Sequence, residues 1–165
     1  MSKVAKVGGI LHESLANGPG VRMTIFFQGC GHKCEGCHNQ HLWDYSGGVE
    51  RSVEDIICAM SKSAPIIDGI TLSGGEPFDQ AVCAKEIAAA ARQMGLSIWA
   101  YTGYSFEDLQ TMSQADSDIR ELLACVDTLV DGKYLLALSD AELQYRGSKN
   151  QRIIELLNGS VERVL

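Results

Sequence analysis

Short runs of β-branched and aromatic residues recur along this chain. Each is closed by a turn-forming segment, and most are followed by a stretch with apolar residues at helical spacing. Val4–Leu11 and Val21–Gln28 (VRMTIFFQ) read as strands on either side of the breaker cluster Asn17-Gly18-Pro19-Gly20. Gly69–Ser73, Leu96–Thr102 and Val126–Val130 read as three more. The spacing of Val53, Ile56, Ile57 and Met60 predicts a helix that begins after Ser52, with Ser52 and Asp55 in a loose capping box. A second helix is expected over Gln80–Met94, capped by Asp79, with Val82, Ile87, Ala91 and Met94 inward and Gly95 as its stop. Further helices are expected at Phe106–Met112, Ile119–Cys125 and near Gln151–Leu157. Strands alternating with helices make βα units and a mainly parallel sheet. About five units fit 165 residues, whereas a closed eight-unit barrel needs ~250. The expected fold is therefore α/β, a partial (incomplete) β/α barrel or open, mostly parallel sheet of about five βα units in one domain, residues 1–165. In such sheets ligands gather at the carboxyl ends of the strands. The loop after Gln28, Gly74-Gly75-Glu76-Pro77, the Thr102-Gly103 turn and Asp131-Gly132-Lys133 all follow strands, so they are expected to share one face.

Six cysteines are present, and three of them, Cys30, Cys34 and Cys37, fall in one short loop. Cys58, Cys83 and Cys125 are scattered and read as small core residues. A secreted disulfide scaffold would spread its cysteines through a shorter chain. The N-terminus, MSKVAKVGGILHES, has no apolar signal core, and no apolar run reaches the ~18–20 residues of a membrane span. A cytoplasmic protein with reduced thiols is expected. Its 14 basic and 21 acidic residues leave a net charge of −7, which argues against nucleic acid as a partner, since phosphate binding calls for clustered Lys and Arg.

The loop reads Gln28-Gly29-Cys30-Gly31-His32-Lys33-Cys34-Glu35-Gly36-Cys37-His38-Asn39, a C-x3-C-x2-C spacing. Thiolates are the soft ligands that iron–sulfur clusters take, and three of them on a short loop can wrap one [4Fe-4S] cube. Three ligands for four irons leave one iron open to a substrate or cofactor, by the logic that separates catalytic from structural zinc sites. Zinc held by the three cysteines and one of His32, His38 or His41 is the other reading of the same residues. No Ser, His and Asp constellation points to hydrolytic chemistry.

The three-cysteine loop together with Gly74-Gly75-Glu76-Pro77 resembles the radical S-adenosylmethionine superfamily. NGPGVR (Asn17–Arg22), FFQGC (Phe26–Cys30) and CHN (Cys37–Asn39) resemble the glycyl-radical-enzyme activating enzymes within it. SGGEP, WAYTGY, LVDGKY and YRGSKNQR are similar to the branch that activates anaerobic ribonucleotide reductase. The resemblance implies that Cys30, Cys34 and Cys37 ligate a [4Fe-4S] cluster and that S-adenosyl-L-methionine chelates the fourth iron. It implies cofactor contacts at Gly74, Gly75 and Glu76, along the adenine at Gly36, Cys37 and His38, and at Lys133. Gly36 stands where many members carry an aromatic residue. Asp131-Gly132-Lys133 resembles a segment in which relatives hold a monovalent cation.

The implied activity is reductive cleavage of S-adenosylmethionine. The resulting 5′-deoxyadenosyl radical would take a Cα hydrogen from a glycine of the large reductase subunit. The electron would come from an external donor such as flavodoxin or ferredoxin, because the chain has no second cysteine cluster. Other readings are activation of a different glycyl-radical enzyme such as pyruvate formate-lyase, radical chemistry on a small molecule, or a zinc-stabilised interaction module. The basic island Arg146–Arg152 either meets an acidic partner surface or caps the sheet.

Overall fold

The computed structural model describes residues 2–165, an α/β arrangement on one open sheet. Its strands are β1 (Val4–Ser14), β2 (Arg22–Phe27), β3 (Val49–Ser52), β4 (Gly69–Gly74), β5 (Ser97–Tyr101), β6 (Thr128–Asp131), β7 (Arg152–Leu157) and β8 (Ser160–Val164). The helices are α1 (Val53–Ser63), α2 (Ala81–Gln93), α3 (Phe106–Ala115) and α4 (Ser117–Cys125). The strand order is β3-β1-β2-β4-β5-β6-β7-β8, so β3 and β8 are the two edges.

The parallel part is confined to the centre. β2, β4, β5 and β6 run side by side in three parallel pairings, and the four outer pairings are antiparallel. This corrects the expectation of a mostly parallel sheet of about five βα units. Only the connections that carry α1, α2 and the α3–α4 pair return to a parallel neighbour. Antiparallel strands extend the sheet on both sides, because an antiparallel neighbour needs no crossover helix.

Successive parallel strands add in one direction, and right-handed crossovers therefore put the helices on one face. Met23, Ile25, Ile70, Leu72, Ile98, Ala100 and Leu129 are buried in one continuous core with Ile56, Met60, Ile87, Ala91, Leu109 and Leu122 of the helices. Ser52 caps α1 by accepting from the Asp55 amide, as its position predicts. At α2 a 3₁₀ turn, Pro77–Gln80, comes first, and Gln80 rather than Asp79 stands at the cap without a side-chain bond. Val82 is exposed, and the inward stripe is Cys83, Ala84, Ile87, Ala88 and Ala91. Cys58 is exposed as well, so it is not a core residue.

Gln151–Leu157, expected as a helix, is mostly strand β7, which pairs antiparallel with β6. Ile154 and Leu156 are its buried residues, a period of two on an extended backbone. The cross-strand ladder supplies those backbone bonds, and the sheet edge overrides the local helical pattern.

The other face of the sheet carries Arg22, Thr24, Thr71 and Trp99, with Thr24 opposite Thr71 and Thr71 opposite Trp99 in register. Arg22 is only 2% exposed. It spends its five N–H groups on Thr71 Oγ1 (2.9 Å), the Pro19 carbonyl (3.1 Å), Ser97 Oγ (3.0 Å), the Ile70 carbonyl (2.7 Å) and the Ser97 carbonyl (3.0 Å). NGPGVR is thus a staple that ties the entry to β2 onto β4 and β5. Burial holds the guanidinium below its usual pKa, against the pull of Asp68 and Asp127.

Arg22→Ala would strand the Ile70 and Ser97 carbonyls and open a cavity. It is expected to cost about 3 kcal/mol of unfolding free energy. Arg22→Lys, which keeps the charge but loses the planar fork, should fall between. Denaturant midpoints check this, and an Arg22→Ala protein within about 0.5 kcal/mol of the parent would show that the staple does not support the sheet.

Candidate iron–sulfur site

β2, β4, β5 and β6 all point their carboxyl ends the same way, so the segments after them meet. Cys30, Cys34 and Cys37 line one pocket together with Gly74, Gly75, Thr102, Gly103, Gly132, Tyr134 and Gln151. The four predicted loops therefore do share a face. Cys30 is buried, and Cys34 and Cys37 are partly exposed. Burial pushes the Cys30 thiol up, the amides of His32 and Lys33 pull it back, and the Glu76 carboxylate adds to the rise. Burial likewise raises Cys34, opposed by the Tyr134 amide. The Asn39 amide donates to Cys37 Sγ at 3.4 Å. Hydrogen bonds to sulfur and restricted solvent are two of the means by which a protein sets a cluster potential.

Three thiols facing one pocket are the donor set of an iron–sulfur cube with one corner left open. No three His, Cys, Asp or Glu side chains among the described residues converge closely enough to hold a single metal ion. His32, one of the three histidines that could complete a zinc site, spends Nε2 on Glu76 at 2.8 Å.

Glu76 is the centre of this rim. Its side chain has no exposed surface. It accepts from Thr102 Oγ1 (2.9 and 3.0 Å), the Gly103 amide (2.9 Å), the Phe78 amide (3.1 Å) and His32 Nε2 (2.8 Å). A carboxyl group removed from water needs such partners. With all of them in place the carboxylate is directed toward partners within the protein.

The two glycines before it are equally tied to protein. The Gly75 amide donates to the Phe27 carbonyl (2.7 Å), and the Glu76 amide donates to the Gly29 carbonyl (2.9 Å). A Cβ at Gly75 would lie 2.2 Å from the Gly29 carbonyl oxygen, and one at Gly74 (φ +104°) would lie 2.3 Å from the Phe27 amide nitrogen. The missing side chains let the loop press on the backbone that leads into Cys30. A second clasp closes the ring: Tyr45 and Tyr104 donate to the two Asp79 oxygens at 2.6 and 2.9 Å. Tyr45 lies against Gly29, and Tyr104 packs edge-on to His32 at 4.5 Å between ring centres. Burial, with Asp79 as the second cause, pushes the Tyr45 phenol up to about 12.

The remaining expected residues sit further out. Gly36 faces Leu136 and Tyr134. His38 is exposed and lines an adjoining cavity with Cys37, Tyr101, Tyr134 and Tyr145. Lys133 is exposed and lines a different cavity, with His32 and Tyr104. Asp131 is buried and bound by Arg152 and by the Phe106 amide (2.8 Å). Its carboxylate thus holds the first amide of α3, next to the Ser105 cap. Arg152 also grips Glu107, and Gln151 bridges the Gly147 amide (2.9 Å) and the Gly132 carbonyl (3.1 Å). The basic segment thus laces over the end of β6. The Glu76–His32 pair and the Asp79 clasp were not legible in the sequence. Their members lie in separate segments, and no spacing rule joins them.

Residues 16–154 match the family described as a 4Fe-4S single cluster domain. The anaerobic ribonucleoside-triphosphate reductase-activating protein of Vibrio cholerae is 38% identical over 146 residues, covering 84% of this chain and 90% of that protein. The chain belongs to this family. The phage T4 member is 39% identical over 145 residues, with 83% of this chain and 85% of the relative covered. The Escherichia coli K12 member is 34% identical over 151 residues, with 86% and 93% covered. The family match favours the iron–sulfur reading of the cysteine loop over zinc.

Gly75→Ala is expected to displace Gly29 and with it Cys30. The mutant should lose about tenfold in iron retention after anaerobic reconstitution, measured as iron and sulfide per chain. Undiminished iron would mean that the loop yields without moving the thiol.

Proposed function

We propose that this chain is the activating enzyme of an anaerobic ribonucleoside-triphosphate reductase, acting through radical S-adenosylmethionine chemistry. The observation that carries the reading is the meeting of three cluster-type thiols with the Gly74–Gly75 loop in one pocket at the strand ends. Cys30, Cys34 and Cys37 would hold the cube and leave its fourth iron for the amine and carboxylate of S-adenosylmethionine. When bound, the cluster supplies one low-potential electron that breaks the C–S bond, giving methionine and a 5′-deoxyadenosyl radical. The chemistry so supplied would be removal of a Cα hydrogen from one glycine of the large reductase subunit, leaving 5′-deoxyadenosine and a glycyl radical.

The chain's own part is to hold and enclose. Gly74 and Gly75 would present backbone to the methionine end of the ligand. Gly36, Cys37 and His38 would flank the adenine, with the neighbouring tyrosines as apolar wall. Lys133 would approach the cofactor from the adjoining cavity on the His32 and Tyr104 side of the cysteine loop. The open sheet is in this reading an incomplete barrel whose mouth admits a polypeptide loop. No side chain needs to act as general acid or base. The electron comes from an external flavodoxin or ferredoxin, and the protein works in the cytoplasm. No helix among the described residues is long and apolar enough to cross a membrane.

Anaerobic electron paramagnetic resonance of the reconstituted protein with the reductase subunit, reductant and S-adenosylmethionine should give a glycine-centred doublet. Cys34→Ala should abolish both the doublet and 5′-deoxyadenosine formation. Cys83→Ala, whose thiol donates to the Val4 carbonyl inside the core, should leave both near the parent level. A colourless parent protein without iron and sulfide, or equal loss in the two variants, overturns the reading.

A further inference from the structure

We infer that His32 is a positioning residue for the cluster. It fixes the cysteine loop against the sheet through the buried carboxylate of Glu76. The inference rests on the proposed function for the identity of what is positioned, but its geometry is independent of it.

His32 is the central residue between Cys30 and Cys34, and its side chain is held on three sides. Nε2 donates to Glu76 Oε2 at 2.8 Å. One face of the ring lies so close to Gly103 that a Cβ there would stand 2.4 Å from the imidazole carbon Cδ2. Tyr104 packs edge-on at 4.5 Å. The side chain retains 10% of its exposure, although its neighbours Gly31 and Lys33 are exposed.

A histidine on an exposed loop does not become this enclosed unless the loop is drawn down onto what lies beneath it. Beneath it is Glu76, which bonds at the same time to Thr102 and Gly103 after β5 and to Phe78 beyond β4. A displacement of His32 would therefore leave a buried acceptor short of a donor, which costs more than the bond itself is worth. The backbone clamp from the Glu76 amide to the Gly29 carbonyl fixes the loop before Cys30. His32 fixes it after Cys30. Together they bracket the first thiol, and Lys33, in the left-handed region at φ +49°, turns the chain toward Cys34. Groups one step behind a metal ligand orient it and typically change metal retention 10–100-fold when removed.

The test compares His32→Ala with His32→Gln in the full chain, since glutamine keeps an N–H of similar reach. Two readouts are taken. Amide hydrogen exchange of Gly31–Cys34 in the cluster-free protein reads the loop alone. After anaerobic reconstitution, the rate of iron loss to a ferrous chelator and the resonance spectrum of the reduced cluster read the ligand set. His32→Ala is expected to speed exchange across Gly31–Cys34 and to raise the rate of iron loss about tenfold or more, with a changed spectrum. His32→Gln should restore both toward the parent. Unchanged exchange in His32→Ala, or glutamine behaving like alanine, overturns the positioning role. A parent protein that takes up no cluster overturns the proposed function instead, and the exchange data still decide the role of His32.

Discussion

One carboxylate with no exposed surface holds the functional end of this molecule together. Glu76 gathers donors from the cysteine loop, from the turn after β5 and from its own turn after β4. Each of these segments leaves the sheet separately, and parallel strands do nothing by themselves to join the loops at their ends. A buried acceptor does so cooperatively, because releasing any one donor leaves part of the carboxylate unsatisfied where water cannot compensate. The thiols of Cys30 and Cys34 inherit their position from that arrangement.

The opposite end of the same strands uses the opposite charge. Arg22 is buried where β2 begins, and it too binds neighbouring strands and the preceding loop, chiefly through their carbonyls. Guanidinium suits an end rich in carbonyl acceptors, and carboxylate suits an end rich in amide and side-chain donors. Buried Asp131, paired with the part-exposed Arg152, is a third anchor, securing β6 to β7 and to the start of α3. The polar residues Glu76, Arg22 and Asp131 therefore hold the frame, and glycine backbone, thiols and tyrosine rings are prominent in the lining of the pockets at the strand ends.

This division shows in how the expected residues are placed. Gly75 lines the pocket and also presses on Gly29, whereas the Glu76 side chain turns toward protein, to Thr102 and His32. A motif shows that a residue type is required and does not show which neighbour requires it. Lys133 follows β6 as expected, but its backbone course leads it to the Tyr104 side of the cysteine loop. Val82 and the stretch at Gln151–Leu157 failed for a different reason. Their periodicity was compatible with more than one packing, and the 3₁₀ turn before α2 and the free edge of β6 selected the one adopted.

The sequence by itself determined the local matters: the strand and helix segments of the centre, the Ser52 cap, the three-thiol donor set and the loops that would accompany it. These depend on residue type, spacing and turn chemistry, which are properties of neighbours along the chain. Only the tertiary structure decided that the parallel region is limited to four strands, that Glu76 is spent on His32, and that Asp79 clasps Tyr45 to Tyr104. Those contacts join residues far apart in the chain, and their energy comes from desolvation. Burial exists only once the sheet has formed, so it leaves no periodic or compositional mark to read beforehand.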